Sequence, residues 1–166
     1  MSTLRVKFDE TPMPTIELTT HLKAAPEMVS TEIMRPALLL HVSAPILRFK
    51  PVEPPVLPER WSDGEYRLSM RFLGILPLGR QIVGLETQPM RGDIWSIRDN
   101  GRGTMIRNWD HWIEVSPEGD GTRYTDRVTV EAGLLTPFIV LFARIFYAHR
   151  QRRWRRLVAD DFRPLR

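Results

Sequence analysis

The chain has 166 residues, 42% of them hydrophobic and 27% charged, enough to fill a core without disulfides or metal. It contains no cysteine, which excludes thiolate metal sites, disulfides and cysteine nucleophiles. The formal net charge of +4 is uneven: residues 144–166 hold eight arginines and two aspartates, a net of +6, while residues 1–143 hold sixteen cations and eighteen acids, a net of −2.

No repeat or low-complexity run interrupts the chain, so residues 1–166 are expected to form a single domain. The opening "MSTLRVKFDE" lacks the apolar core of a signal peptide, and the longest apolar run, Pro137 to Ala148, is 12 residues long and contains Arg144. That run is short of the ~20 residues needed to cross a bilayer. A cytoplasmic location is the resulting expectation.

In "TIELTTHL", Ile16, Leu18, Thr20 and Leu22 alternate onto one face, as in a half-buried strand. The next segment changes period. Pro26 suits the first turn of a helix, Pro36 interrupts the helical spacing, and "ALLLHV" continues as a second short helix. Four prolines in "FKPVEPPVLPERWSDG" then favour an edge strand or rim segment over a central strand.

A meander follows: "EYRLSMRF", with Tyr66, Leu68, Met70 and Phe72 on one face, then "RQIVGLETQ", "GDIWSIRDNG", "MIRNWDHWIEV" and "TRYTDRVTVEA". Counting the first strand and the rim segment gives about seven strands, all at antiparallel hairpin spacing. Gly101 and Gly103 in "DNGRGTM" read as a hairpin turn, because no helix follows to make a phosphate cradle.

The last element, about Thr136 to Asp161, reads as a helix capped by Thr136 with Pro137 in its first turn. Phe138, Phe142, Ile145 and His149 fall on one stripe, and the first half is apolar nearly all round, which predicts burial on more than one side. An apolar sheet face needs a cover, and this helix is the available one.

The segments "ELTTHLKAAPEMV", "FLGILPLGRQI", "GDGTRYTDRVTVEAG" and "FYAHRQRRWRRL", in this order of elements, resemble the START-like, helix-grip (SRPBCC) superfamily and its bacterial polyketide cyclase/dehydrase and lipid-transport-like branch. The resemblance implies an α+β helix-grip fold: a curved antiparallel sheet of about seven strands wrapped around a long C-terminal helix, with two short helices after the first strand. It also implies an internal cavity for a hydrophobic or aromatic small molecule, lipid, polyketide or quinone-like, used in transport or sensing. It brings no catalytic motif and no cofactor.

Within such a cavity, Met70, Phe72, Trp95, Trp109, Tyr124, Phe138, Phe142 and Ile145 are the expected wall; Arg107 is a candidate anchor for an anionic ligand, with a solvated surface position the favoured alternative. If Val115 pairs with Thr122 across a six-residue loop, His111 lies directly opposite Asp126, and a two-residue slip shifts the partner while keeping the face. The pair reads either as general acid/base machinery of cyclase/dehydrase type or as a polar cross-strand pair that fixes register. The four histidines, His21, His41, His111 and His149, sit on separate elements without ligand spacing, so no metal is expected.

The cluster Arg150, Arg152, Arg153, Arg155 and Arg156 admits three readings: contact with an anionic membrane, contact with nucleic acid through Trp154, or a solvated helix end. The acidic body disfavours nucleic acid.

Overall fold

The computed structural model describes residues 13–166. The opening segment, read above as lacking a signal peptide's apolar core, lies outside the described residues. Seven strands are present: β1 (Thr15–Leu22), β2 (Leu47–Glu53), β3 (Gly64–Phe72), β4 (Leu76–Thr87), β5 (Trp95–Gly103), β6 (Asn108–Glu118) and β7 (Gly121–Glu131). Helices α1 (Pro26–Ile33) and α2 (Pro36–Ser43) follow β1, and α3 (Thr136–Ala159) closes the chain after a 3₁₀ turn, Gly133–Leu135.

The strands form one antiparallel sheet in the order β1-β7-β6-β5-β4-β3-β2. It curves around α3, as expected. Pro51 is tolerated because β2 is an edge strand, and a register shift between Pro51 and Glu53 breaks the ladder there. Helices α1 and α2 start on Pro26 and Pro36, whose fixed φ suits a first turn and whose missing N–H leaves no donor unsatisfied there.

The interior holds two apolar clusters. One, at the α1 and α2 end, gathers Leu22, Val29, Ile33, Trp61, Leu68, Ile97, Trp154 and Leu157. The other, toward the start of α3, gathers Ile16, Leu47, Met70, Val128, Val130, Ala143, Phe146 and Tyr147. Each fully buried aliphatic side chain contributes about 1.5–3 kcal/mol relative to exposure.

Four expectations need correction. The β6–β7 connection is a two-residue turn, Gly119 and Asp120, with Glu118 paired to Gly121 and Val115 paired to Tyr124 rather than Thr122. Gly119 has φ +57°, a left-handed conformation that a glycine adopts without steric penalty. Gly101 and Gly103 lie within β5 instead of in a turn, where their bare backbones let β4 approach: a Cβ on Gly101 would sit 2.9 Å from the Ile82 carbonyl.

Thr136, the third, does not cap α3. Its hydroxyl accepts from the Ala132 N–H at 3.0 Å and donates to the Gly133 carbonyl at 2.7 Å, tying the helix to the preceding 3₁₀ turn. The first half of α3 is also less covered than its composition implies, with Phe138 73% and Ile145 58% exposed and Leu141 exposed as well, as are Leu134 and Leu135 in the preceding turn. The sheet and α2 cover one side of the helix; the opposite side has no partner among the described residues.

Candidate functional site

Between the concave sheet and α3 lies a cavity of about 410 Å³. Its wall is overwhelmingly apolar and draws on both clusters: Ile33, Leu38 and Trp61 at the inner end, Met70, Phe72 and Phe142 toward the outer end. Leu76, Met105 and Phe138 line the cavity and are exposed to solvent, so they form its rim.

A belt of polar side chains crosses the interior where the two clusters meet. On α3, Arg150 follows Phe146 and Tyr147 and precedes Trp154; on β6, His111 lies between Trp109 and Ile113; on β5, Asp99 is two residues from Ile97 and faces the same way. Asp99 and His111 are direct cross-strand partners.

Asp126 anchors the belt. Its carboxylate is fully buried and accepts three hydrogen bonds: from His111 Nε2 at 2.9 Å, from the Tyr124 hydroxyl at 2.8 Å and from Gln151 Nε2 at 3.0 Å. Gln151 Nε2 also donates to the Leu18 carbonyl at 2.8 Å, so one amide links α3 to both β1 and β7. Burial works against a charge on Asp126, yet the His111 hydrogen bond, the field of Arg150 and the Gln151 amide outweigh it and hold its carboxyl below the usual value. Burial pushes the His111 imidazole below its ordinary value despite Asp126, so it is neutral and Nε2–H donates.

Asp99 behaves differently. The β4–β5 ladder is interrupted between Ile82 and Leu85, and there the Gly84 N–H donates to Asp99 Oδ1 at 2.8 Å. Asp99 also lines the cavity. Burial pushes this carboxyl up to about 7, against the opposing pull of the Gly84 hydrogen bond and of Arg150.

Arg150 is buried with its guanidinium 4.9 Å from the Tyr147 ring centre and 5.9 Å from that of Phe146. Among the described residues its Nε has no hydrogen-bond partner and the side chain forms no ion pair. Desolvation would lower its pKa, but the acidic groups around it, Tyr124 and Asp126 foremost, hold it above the ordinary value.

The structure therefore brings together His111, Asp126, Met70, Phe72, Trp109, Tyr124, Phe138 and Phe142 of the predicted set, with Asp126 behind the wall and the others on it. It places three elsewhere. Trp95 packs against the inner cluster beside the end of β6, opposite Val115. Ile145 points to solvent, because the helix turns Ala143, Phe146 and Tyr147 inward. Arg107 precedes β6, has its side chain 78% exposed, lies 3.9 Å from Glu131 and borders a shallow surface groove with Arg80 and Arg102.

The arginine cluster does not present one surface. Arg150 is inside, Arg153 donates to the His41 carbonyl at 2.9 Å, Arg155 donates to Thr20 Oγ1 at 2.8 Å, and only Arg152 and Arg156 of the five extend without such contacts among the described residues. Trp154 is fully buried against Tyr124, which removes it as a stacking platform for a base.

Sequence reasoning missed Asp99 and Gln151 and misplaced Arg150. A signal existed: Ala143, Tyr147, Arg150, Trp154 and Leu157 recur at alternating steps of four and three, the spacing of a buried helical stripe. Among the described residues no group of His, Asp and Glu is arranged to hold a metal, and no helix is long and apolar enough to cross a membrane.

A family model described as Domain of unknown function (DUF8410) matches residues 20–158. No curated protein matches the chain. Among solved structures, protein CV1439 from Chromobacterium violaceum superposes with a TM-score of 0.64 at 17% identity, covering 89% of this chain and 98% of that one. A START superfamily protein from Mycobacterium smegmatis gives 0.60 at 15% identity, with 88% and 97% covered. A point mutant of norcoclaurine synthase from Thalictrum flavum, in complex with a transition-state analogue, gives 0.60 at 12% identity, with 90% and 96% covered. These likenesses establish the fold, which is helix-grip and START-like.

Proposed function

This chain belongs to the DUF8410 family, and we propose that its 166 residues act as one START-like domain that binds a hydrophobic or aromatic small molecule, for transport or sensing. The observation that carries this reading is the cavity itself: about 410 Å³, apolar over nearly all its wall, with a few convergent polar groups. That volume lies within the ~300–1,000 Å³ typical of small-molecule sites. Lipid, polyketide and quinone-like molecules all fit the chemistry of such a wall.

The test uses N-phenyl-1-naphthylamine, a neutral apolar fluorophore, together with native mass spectrometry of gently purified protein. Saturable, one-to-one fluorescence enhancement is expected, with at least a tenfold loss of affinity in Met70→Trp, which fills the cavity from β3. Absence of binding in the wild type, or equal binding in a folded Met70→Trp protein, would count against the reading.

A second reading is acid/base catalysis of the polyketide cyclase/dehydrase type. It is favoured by the buried His111–Asp126 pair at 2.9 Å, with His111 on the cavity wall. On this reading Asp126 orients the imidazole and the ring exchanges a proton with substrate. Turnover of an aromatic β-ketothioester that disappears in His111→Gln, while the fluorophore still binds, would support it; turnover unchanged in that variant would remove it.

A further inference from the structure

We propose that the ligand is an amphipathic monocarboxylate whose anionic head pairs with Arg150 at the polar belt while its apolar part fills the cavity. The inference rests on the binding function proposed above and names the chemistry of that same site.

Arg150 is the observation that needs an explanation. A buried guanidinium that makes no hydrogen bond or ion pair among the described residues is unfavourable unless something supplies acceptors for it. The group that would ordinarily do so, Asp126, already accepts from His111, Tyr124 and Gln151 and makes no ion pair with Arg150. The positive charge is instead held over the Tyr147 and Phe146 rings and lines the cavity. A planar carboxylate matches the guanidinium fork with two parallel hydrogen bonds.

The facing strand completes the site. Asp99 Oδ1 is committed to the Gly84 N–H, which leaves Oδ2 for the ligand. Because burial raises this carboxyl to about 7, Oδ2 can carry a proton and donate to a bound carboxylate. One cation and one shared proton suit a single negative charge. A dianion would also face the field of Asp126, so phosphate is disfavoured.

Competition against N-phenyl-1-naphthylamine at pH 7 tests this with three decyl probes: decanoate, decan-1-ol and decyl phosphate. Decanoate is expected to bind at least about tenfold more tightly than decan-1-ol, as a hydrogen-bonded charge warrants, and more tightly than decyl phosphate. In Arg150→Met that preference should vanish, and Arg150→Lys should recover part of it. Equal affinity for acid and alcohol in the wild type, or an undiminished preference in Arg150→Met, overturns the proposal, and tighter binding of decyl phosphate overturns its carboxylate assignment. If Arg150→Met fails to fold, the wild-type comparison decides alone. Failure of the fluorophore itself to bind wild type strikes the cavity-binding reading instead, and this inference falls with it.

Discussion

His111 and Asp126 hydrogen-bond across a diagonal: in the β6–β7 ladder His111 stands opposite Val128 and Asp126 opposite Ile113, yet their side chains meet at 2.9 Å. The offset places Asp126 where the Tyr124 hydroxyl and the Gln151 amide also reach it.

Asp126→Ala is accordingly expected to destabilise the fold by about 3 kcal/mol or more, since it strands three buried donors and deprives Arg150 of its compensating field. Chemical denaturation should register the loss as a lower midpoint at unchanged slope. A change below about 1 kcal/mol would mean the network is dispensable.

Asp99→Asn retains a carbonyl oxygen for the Gly84 N–H but removes the titration. In the wild type the folded-state carboxyl titrates at about 7, against 3.8 as the ordinary value, so the unfolded chain ionises first as pH rises. The stability contributed by this group is therefore full below about pH 4 and is lost as pH rises toward 7. The groups facing it are Arg150 and Tyr147 from α3, His111 from β6 and the Gly84 amide from β4, with the charge of Asp110 acting from the other face of β6. Subtracting thermal melts of the two proteins cancels their common contributions, His111 included. The variant should gain relative to wild type between pH 4 and 7 and hold that gain above, at about 2–4 °C per kcal/mol.

Burial sorts the arginines. Arg152→Glu and Arg156→Glu together should shift stability by no more than about 0.5 kcal/mol and leave fluorophore binding unchanged, because both side chains are exposed. Arg150→Glu should unfold the protein or lower its melting point steeply, by placing a second buried carboxylate near Asp126. Similar effects from the two changes would mean that Arg150 is solvated.

The same contrast applies to the phenylalanines of α3. Phe146→Ala should cost about 3–5 kcal/mol, as truncation of a buried aromatic does. Phe138→Ala, at the exposed rim, should cost about 0.5 kcal/mol or less. Urea denaturation of the two variants measures both.

Local periodicity made the architecture legible. The alternation in Thr15–Leu22 and Gly64–Phe72, and the prolines that start α1 and α2, specify strands and helices from near neighbours alone. Turn length was less accessible, because the polar stretch from Ser116 to Gly121 fits a loop as readily as continued strands around Gly119 and Asp120. Composition also could not show that the face of α3 bearing Leu141 and Ile145 is uncovered, since burial depends on how α2 and β1, the latter more than a hundred residues away, pack against the helix. The site was legible in part. His111, Asp126 and six of the wall residues follow from strand faces and aromatic content, whereas Arg150 was masked by its neighbours: within a run of arginines, only helical phase distinguishes the one that turns inward.

The rim formed by Leu76, Met105 and Phe138 has a kinetic implication. Twelve residues of α3 separate Phe138 from Arg150, a rise of ~18 Å along the axis. A molecule seated head-inward has to shed its hydration shell and travel through this greasy sleeve before any counter-charge greets it, and the return journey is equally unwelcoming. Exchange would then be throttled at the doorway, so that cargo once loaded stays aboard far longer than its equilibrium affinity alone implies.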